Sequence, residues 1–277
     1  MSIEITIDGR KVKGNPDQTI LDVAKANGIH IPTLCNHPHL KATGVCRICV
    51  VDLGRPDRLE AACTTPISPN MVVNTSNERV IKARKTTLEL ILSNLGVEVE
   101  TLNKNGGNTL LELAEELGVD IRNLRYKPSS PETPEPVDNR NPVIIRDRDR
   151  CILCGRCVSA CNELRHYGVL NYEGRGYHTN IVSGLVEPLL ESGCASCGEC
   201  VEVCPTGAFR TLAKELVQSE VDTMMETGAA LPASGSTQSA RSRLNLPPID
   251  TSGAADLVKI VHRTKLKCKT IQEADKQ

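Results

Sequence analysis

CILCGRCVSACNELRHYGVLNYEGRGYHTNIVSGLVEPLLESGCASCGECVEVCP, residues 151–205, is the stretch whose reading decides the fold. It holds Cys151, Cys154, Cys157 and Cys161, then Cys194, Cys197, Cys200 and Cys204 followed by Pro205. Each half reads C-x2-C-x2-C-x3-C. This is the spacing that holds a pair of [4Fe–4S] clusters, with the fourth Cys of each run serving the other cluster. Three closely spaced thiolates wrap one core, and the next Cys, already entering a helix, points away. One cluster is therefore expected on Cys151, Cys154, Cys157 and Cys204, the other on Cys161, Cys194, Cys197 and Cys200. Zinc knuckles pair two C-x2-C units across a longer gap and leave no regular third and fourth Cys, so they fit the pattern poorly.

The bulk numbers agree with cluster-held modules. The chain has 277 residues, only 2% of them aromatic, with no Trp and one Phe. Aromatic residues normally supply much of a core's buried area. Metal binding is itself folding free energy, so small cluster modules need less of it. The formal net charge is −1, which excludes the basic footprint of a nucleic-acid binder. The opening MSIEITIDGRKV has no apolar signal region, and no run approaches the length of a membrane span. With 12 of the 13 Cys at metal-ligand spacings, the expectation is a cytoplasmic protein in a reducing compartment.

From the N-terminus, residues 3–7 (IEITI) alternate as a half-buried strand does. Asp8-Gly9 predicts a tight turn, and Lys11-Val12-Lys13 the returning strand. Thr19 with Asp22 predicts a capping box ahead of Ile20, Leu21, Val23 and Ala24, with Gly28 ending that helix. Two strands, a helix and a Cys-bearing loop follow the order of a β-grasp domain. The loop supplies Cys35, Cys46, Cys49 and Cys63, spaced C-x10-C-x2-C-x13-C, a four-thiolate set suited to one [2Fe–2S] cluster. Its first gap is longer than the plant-type spacing. Gly44 stands where backbone must pass close to the sulfides. Cys35-x-His37 invites a two-His, two-Cys centre, but no His accompanies Cys46 and Cys49, so His37 and His39 read as solvated loop residues.

CNHPHLKATGVCRICVVDL, then Cys63-Thr64-Thr65-Pro66 and Asn70 to Thr75, resembles the N-terminal domain of the large iron–sulfur subunit of NADH dehydrogenase (complex I). The same domain opens many [FeFe]-hydrogenases and the diaphorase iron–sulfur subunit of NAD-linked hydrogenases. The stretch 151–205 is similar to that family across its length, and to bacterial ferredoxins. The resemblance covers about residues 1–212 and implies an α+β fold. Its expected parts are a β-grasp [2Fe–2S] ferredoxin-like domain over 1–78, a helical segment over 79–126, a linker over 127–142, a 2[4Fe–4S] bacterial-ferredoxin-like domain over 143–213, and a flexible tail over 214–277 that begins as a helix.

Between the two Cys frameworks the sequence departs from the family. There a Leu-Ser-Asn-His and a His-x3-Cys-x2-Cys-x5-Cys set bind a further [4Fe–4S] cluster. Here Leu88, Ile91, Leu92 and Leu95 give one apolar helix face and Ser93-Asn94 is present, but Leu95 stands in place of the His. Val99, Leu102 and Thr109 fall at or near the three Cys places. No Cys occurs from 64 to 150. The expectation is that this cluster is absent, that apolar packing replaces it, and that the flanking modules either approach more closely or serve different partners. A following helix is predicted from a Thr109/Glu112 capping box, a stripe of Leu110, Leu113, Ala114 and Leu117, and Gly118 as its stop.

KPSSPETPEPVDNRNP, residues 127–142, reads as an extended, semi-rigid linker. From about 226 the composition turns to Gly, Ala, Ser, Thr and Pro, as in a disordered connector. Residues 254–271 mix apolar and basic side chains, as a docking helix or a frayed tail would. Cys268 has no ligand partners nearby and reads as a free thiol.

Iron–sulfur clusters carry single electrons, and no other motif here performs bond chemistry: there is no G-x-G-x-x-G after a strand, no P-loop and no H-E-x-x-H. The chain reads as an electron conductor with no active site of its own. The resemblance implies a neighbouring subunit with FMN and NAD(P), a small [2Fe–2S] subunit of the complex I type, and a terminal catalytic subunit or ferredoxin. The implied setting is a multisubunit NAD(P)(H)-linked oxidoreductase, with electron bifurcation one use for it. A free multi-cluster ferredoxin shuttle and an iron–sulfur redox sensor are the alternatives.

Overall fold

A computed structural model describes residues 2–102, 109–125 and 137–212. The predicted tail, with its helix start and Cys268, lies outside the described residues, as do residues 126–136 of the predicted linker.

The N-terminal module starts as the alternation predicts. Strand β1 (Ile3–Ile7) turns at Asp8-Gly9, both in left-handed conformation, and pairs antiparallel with β2 (Arg10–Gly14). Two successive positive-φ residues suit the right-handed twist of a hairpin. The Asp8 carboxylate also accepts from the Thr75 N–H at 2.7 Å. Helix α1 (Ile20–Ala26) opens with the Thr19/Asp22 capping box, both halves made. Short strands β3 (Val50–Val51) and β4 (Glu60–Ala61) pair antiparallel beside the Cys loop. Strand β5 (Val72–Val73) then joins β1 in parallel, giving the order β2-β1-β5. Ile5, Ile7 and Val12 from the sheet meet Ile20, Leu21, Val23 and Ala24 from α1, with Cys49 and Cys63 in the same core. Gly14 allows this contact: a β-carbon there would sit 2.5 Å from Val23 Cγ2.

Helix α2 (Glu78–Ser93) is capped by the Asn77 side chain, which accepts from the Val80 N–H. Leu88, Leu92 and Leu95 are buried and Ile91 partly so. A 3-10 turn (Val99–Leu102) and α3 (Thr109–Leu117) follow, and Gly118 in left-handed conformation ends α3. Leu95, Val99 and Leu102 pack with Leu110, Leu113, Ala114 and Leu117 in one apolar cluster.

The C-terminal module is framed by β6 (Ile144–Arg146) paired antiparallel with β9 (Phe209–Thr211). It also holds α4 (Arg156–Ser159), a π-helical turn (Ala160–Leu164), the hairpin β7 (Leu170–Glu173) with β8 (Asn180–Ser183), and α5 (Glu199–Glu202). The end of the predicted linker is folded into this module. Asp138 is buried and paired with Arg146 at 3.2 Å. Asn141 is also buried; its Oδ1 accepts from the Val143 and Ile144 N–H groups, and its Nδ2 donates to Ser196. A buried charge persists only when paired, so these residues behave as module, not spacer.

Candidate iron–sulfur centres

The two Cys runs of the C-terminal module fold as near copies. In the first, Leu153 (φ 54°) and Gly155 (φ 76°) are left-handed; in the second, Ser196 (φ 51°) and Gly198 (φ 80°) are. Gly155 and Gly198 cap the four-residue helices that carry Cys157 and Cys200. Two left-handed residues curl each loop so that three thiols share one side. The same backbone contact recurs: the N–H of Leu153 reaches Cys151 Sγ, and that of Ser196 reaches Cys194 Sγ, each at 3.4 Å. Amides aimed at sulfur favour its negative form.

The fourth Cys of each run crosses over. Cys151, Cys154, Cys157 and Cys204 line one cavity, closed by Thr206 and Phe209. Cys161, Cys194, Cys197 and Cys200 line another, closed by Leu170, Leu189 and Tyr167. Cys161 reaches the second cavity from the π-helical turn. Burial raises Cys151 to about 12 and Cys154 to about 11, and pushes Cys157 and Cys200 well up. Such thiols are neutral until a bound cation's charge displaces their protons.

In the N-terminal module Cys35, Cys46, Cys49 and Cys63 are all buried. The Cys35 N–H meets Cys46 Sγ at 3.4 Å. Hydrogen bonds with the Cys46 and Cys63 thiols hold Cys35 down at about 2, and the same contacts push Cys46 and Cys63 up. Cys49 is lowered to about 7 by its bond with Cys63. The loop turns at Gly44 (φ 69°) and Arg47 (φ 56°). His37 is half-buried, with Nδ1 facing its own loop at the His39 N–H.

These sets suit iron–sulfur cores by the chemistry of their donors. Each offers four thiols, with Glu199, which lines the second cavity, paired to Arg165 at 2.6 Å, and soft thiolates select such cores. Among the described residues no group of His, Cys, Asp or Glu is arranged round a single point to hold one metal ion. The two C-terminal sets instead surround a void.

The N-terminal set and the first C-terminal set meet. Cys35, Cys46 and Cys154 lie in one packed cluster with Leu34, Ile48, Leu92 and Leu95. Arg156, between Cys154 and Cys157, donates to the Asn36 carbonyl at 2.8 Å and to Val203 at 3.4 Å. Gly96 N–H donates to the Asp149 carbonyl at 2.9 Å, and Arg150 to the Thr101 carbonyl at 3.0 Å, so the helical segment is tied to the same seam. Arg84 on α2, buried, donates to the Val50 carbonyl at 2.8 Å beside Cys49. Sequence reading missed Arg84 and Arg156. Arg156 occupies a variable place in the run, and nothing local shows that it reaches residue 36.

Comparison with known proteins follows this geometry. Residues 1–78 match a 2Fe-2S iron-sulfur cluster binding domain, and residues 142–208 a 4Fe-4S dicluster domain. The chain is 39% identical over 213 residues to the NADP-reducing hydrogenase subunit HndD of Solidesulfovibrio fructosivorans, covering 75% of this chain and 36% of that protein. It is 31% identical over 237 residues to the mitochondrial NADH-ubiquinone oxidoreductase 78 kDa subunit of Candida albicans, covering 82% and 32%. The chain thus spans about a third of the length of these curated relatives. Among solved structures, a chain of an NAD+-reducing [NiFe]-hydrogenase in its H2-reduced state superposes with a TM-score of 0.70. Its identity is 30%, over 77% of this chain and 88% of that one. No helix among the described residues is long and apolar enough to cross a membrane.

Proposed function

This chain belongs to the iron–sulfur family shared by NAD(P)-linked hydrogenases and the large iron–sulfur subunit of complex I, and we propose that it is the electron-transfer subunit of such a multisubunit NAD(P)(H)-linked oxidoreductase. The assigned ligands are Cys35, Cys46, Cys49 and Cys63 for one [2Fe–2S] cluster. Cys151, Cys154, Cys157 and Cys204 take one [4Fe–4S] cluster, and Cys161, Cys194, Cys197 and Cys200 the other. FMN and NAD(P) belong to a partner subunit, with a small [2Fe–2S] subunit and a terminal catalytic subunit or ferredoxin completing the path.

The observation that carries this reading is the packing of Cys35, Cys46 and Cys154 into one apolar cluster. Bound clusters would supply one-electron carriage. The polypeptide sets the rest. Arg156 fixes the first and second thiol sets against each other, and Leu95, Val99 and Leu102 fill with apolar contact the place where relatives of the family ligate a further cluster. Arg84 places a cation beside Cys49.

The test is to isolate the chain anaerobically with its native partners, add NADH or NADPH and record EPR spectra. Signals from one [2Fe–2S] and from [4Fe–4S] centres are expected. A complex that stays oxidised with NADH and with NADPH, yet reduces with dithionite, would remove the NAD(P)(H) link and leave the ferredoxin-shuttle reading.

A further inference from the structure

An apolar knob stands beside the second [4Fe–4S] set. The β7–β8 hairpin is extended by the Gly184 N–H donating to the Val169 carbonyl at 3.0 Å, which lays the turn after β8 alongside Tyr167 to Val169. That turn is closed by the Glu187 N–H to Ser183 O at 2.9 Å and by the Ser183 hydroxyl donating to the Glu187 carbonyl. Its tip holds Leu185, 90% exposed, and Val186, 54% exposed. Val186 has φ 75°, a conformation that a β-branched residue rarely adopts. Tyr167 and Leu190 add two more half-exposed apolar side chains. Tyr167 and Leu189 line the second cavity, so this surface is continuous with the site, and Cys197 is itself exposed there. Strained backbone holding large apolar groups in water marks a functional surface more often than a packing accident.

The charge round it is net negative, although two of its four carboxylates are paired. Between Arg175 and Arg210 there is no Lys or Arg, and there are four Glu: Glu187, Glu191, Glu199 and Glu202. Arg140 and Arg165 reach in from outside to offset Glu191 and Glu199. At the [2Fe–2S] end the charge is nearly balanced: residues 41–60 carry Lys41, Arg47, Arg55 and Arg58 against Asp52, Asp57 and Glu60, with Arg55 and Arg58 both paired to Glu60.

We propose that Leu185, Val186, Tyr167 and Leu190, ringed by Glu187 and Glu191, form the docking face for a redox protein that offers an apolar socket rimmed by Lys and Arg. This rests on the electron-transfer reading above and adds the chemistry of the partner at one end. At that face one electron passes between the chain and the partner's own one-electron centre. One side is oxidised by one equivalent and the other reduced by one, with no bond or proton transferred.

The test uses the full-length, cluster-loaded chain. The probe is a basic c-type cytochrome, whose haem edge is ringed by lysines, with binding measured by titration calorimetry at low ionic strength. Leu185→Ser with Glu187→Lys is expected to weaken binding at least tenfold, with iron content and visible spectrum unchanged. Arg58→Glu at the other end is expected to leave it unchanged. Val186→Gly relieves the left-handed strain, so it should weaken binding while raising Tm, which separates lost contact from lost fold. Binding indifferent to the knob variants would overturn the proposal. So would sedimentation showing that the knob instead joins two copies of this chain. Absence of reducible iron in the parent chain would sink the electron-transfer reading itself, a result visible before any binding is measured.

Discussion

At the scale of single residues, the two Cys runs provide an internal control. Gly155 and Gly198 hold the same conformation, but a β-carbon on Gly155 would lie 2.0 Å from the Tyr172 hydroxyl, whereas one on Gly198 would meet nothing within 4 Å. Gly198→Ala therefore carries only the left-handed penalty, about 1–2 kcal/mol. Gly155→Ala adds a clash beside Cys154 and Cys157. Gly155→Ala should cost most of the first [4Fe–4S] cluster by iron analysis, with partial rescue by Tyr172→Phe, and Gly198→Ala should keep both. The crossover is testable in the same terms. Cys204→Ser should remove the cluster that neighbours the [2Fe–2S] centre, and with it any magnetic coupling between the two in EPR. Cys161→Ser should remove a cluster and leave that coupling in place. The grouping proposed for the twelve thiols rests on spacing, because cluster ligands need fixed spacing. Leu153 and Ser196 in left-handed conformation were not legible in the sequence, since neither residue type announces a positive φ.

At the scale of elements, the Asp8-Gly9 hairpin, the Thr19/Asp22 cap and the apolar face of α2 were readable, because each depends on neighbours in sequence. What α2 does for the [2Fe–2S] loop was not. Arg84 lies on the helix and its partner, the Val50 carbonyl, on β3, 34 residues away. Arg84→Ala would leave that buried carbonyl unpaired, a loss of about 1–3 kcal/mol. It would also remove a cation beside Cys49. The variant should melt earlier, and its [2Fe–2S] midpoint potential, read by EPR-monitored titration, should move negative, since net charge near a cluster sets its potential. Arg84→Lys should restore more of the potential than of the stability, because one ammonium replaces the charge but not the guanidinium's reach. The C-terminal part of the predicted linker illustrates the opposite limit. Asp138 and Asn141 look like spacer residues in a Pro-rich run, and only burial against Arg146, Ile144 and Ser196 shows them to be structural.

At the scale of the whole molecule, residues 1–215 form one compact unit. Part of the reason lies in the helical segment between the two Cys modules, where Leu95, Val99 and Leu102 share one apolar cluster with Cys35, Cys46 and Cys154. Gly96 lets Asp149 approach so closely that a β-carbon would fall 2.7 Å from the Asp149 carboxyl carbon. The sequence reading left open whether the modules approach more closely or serve different partners, because contact between them turns on residues 49 to 120 places apart. The molecule is thus a short chain of three thiol sets with the first two in direct contact, and its central claim is the cluster content. Iron, zinc and acid-labile sulfide should be measured on anaerobically prepared full-length chain. About ten iron and ten sulfide per polypeptide, from one [2Fe–2S] and two [4Fe–4S] clusters, is the predicted result. Stoichiometric zinc without sulfide, or about six iron with one cubane missing, would contradict it.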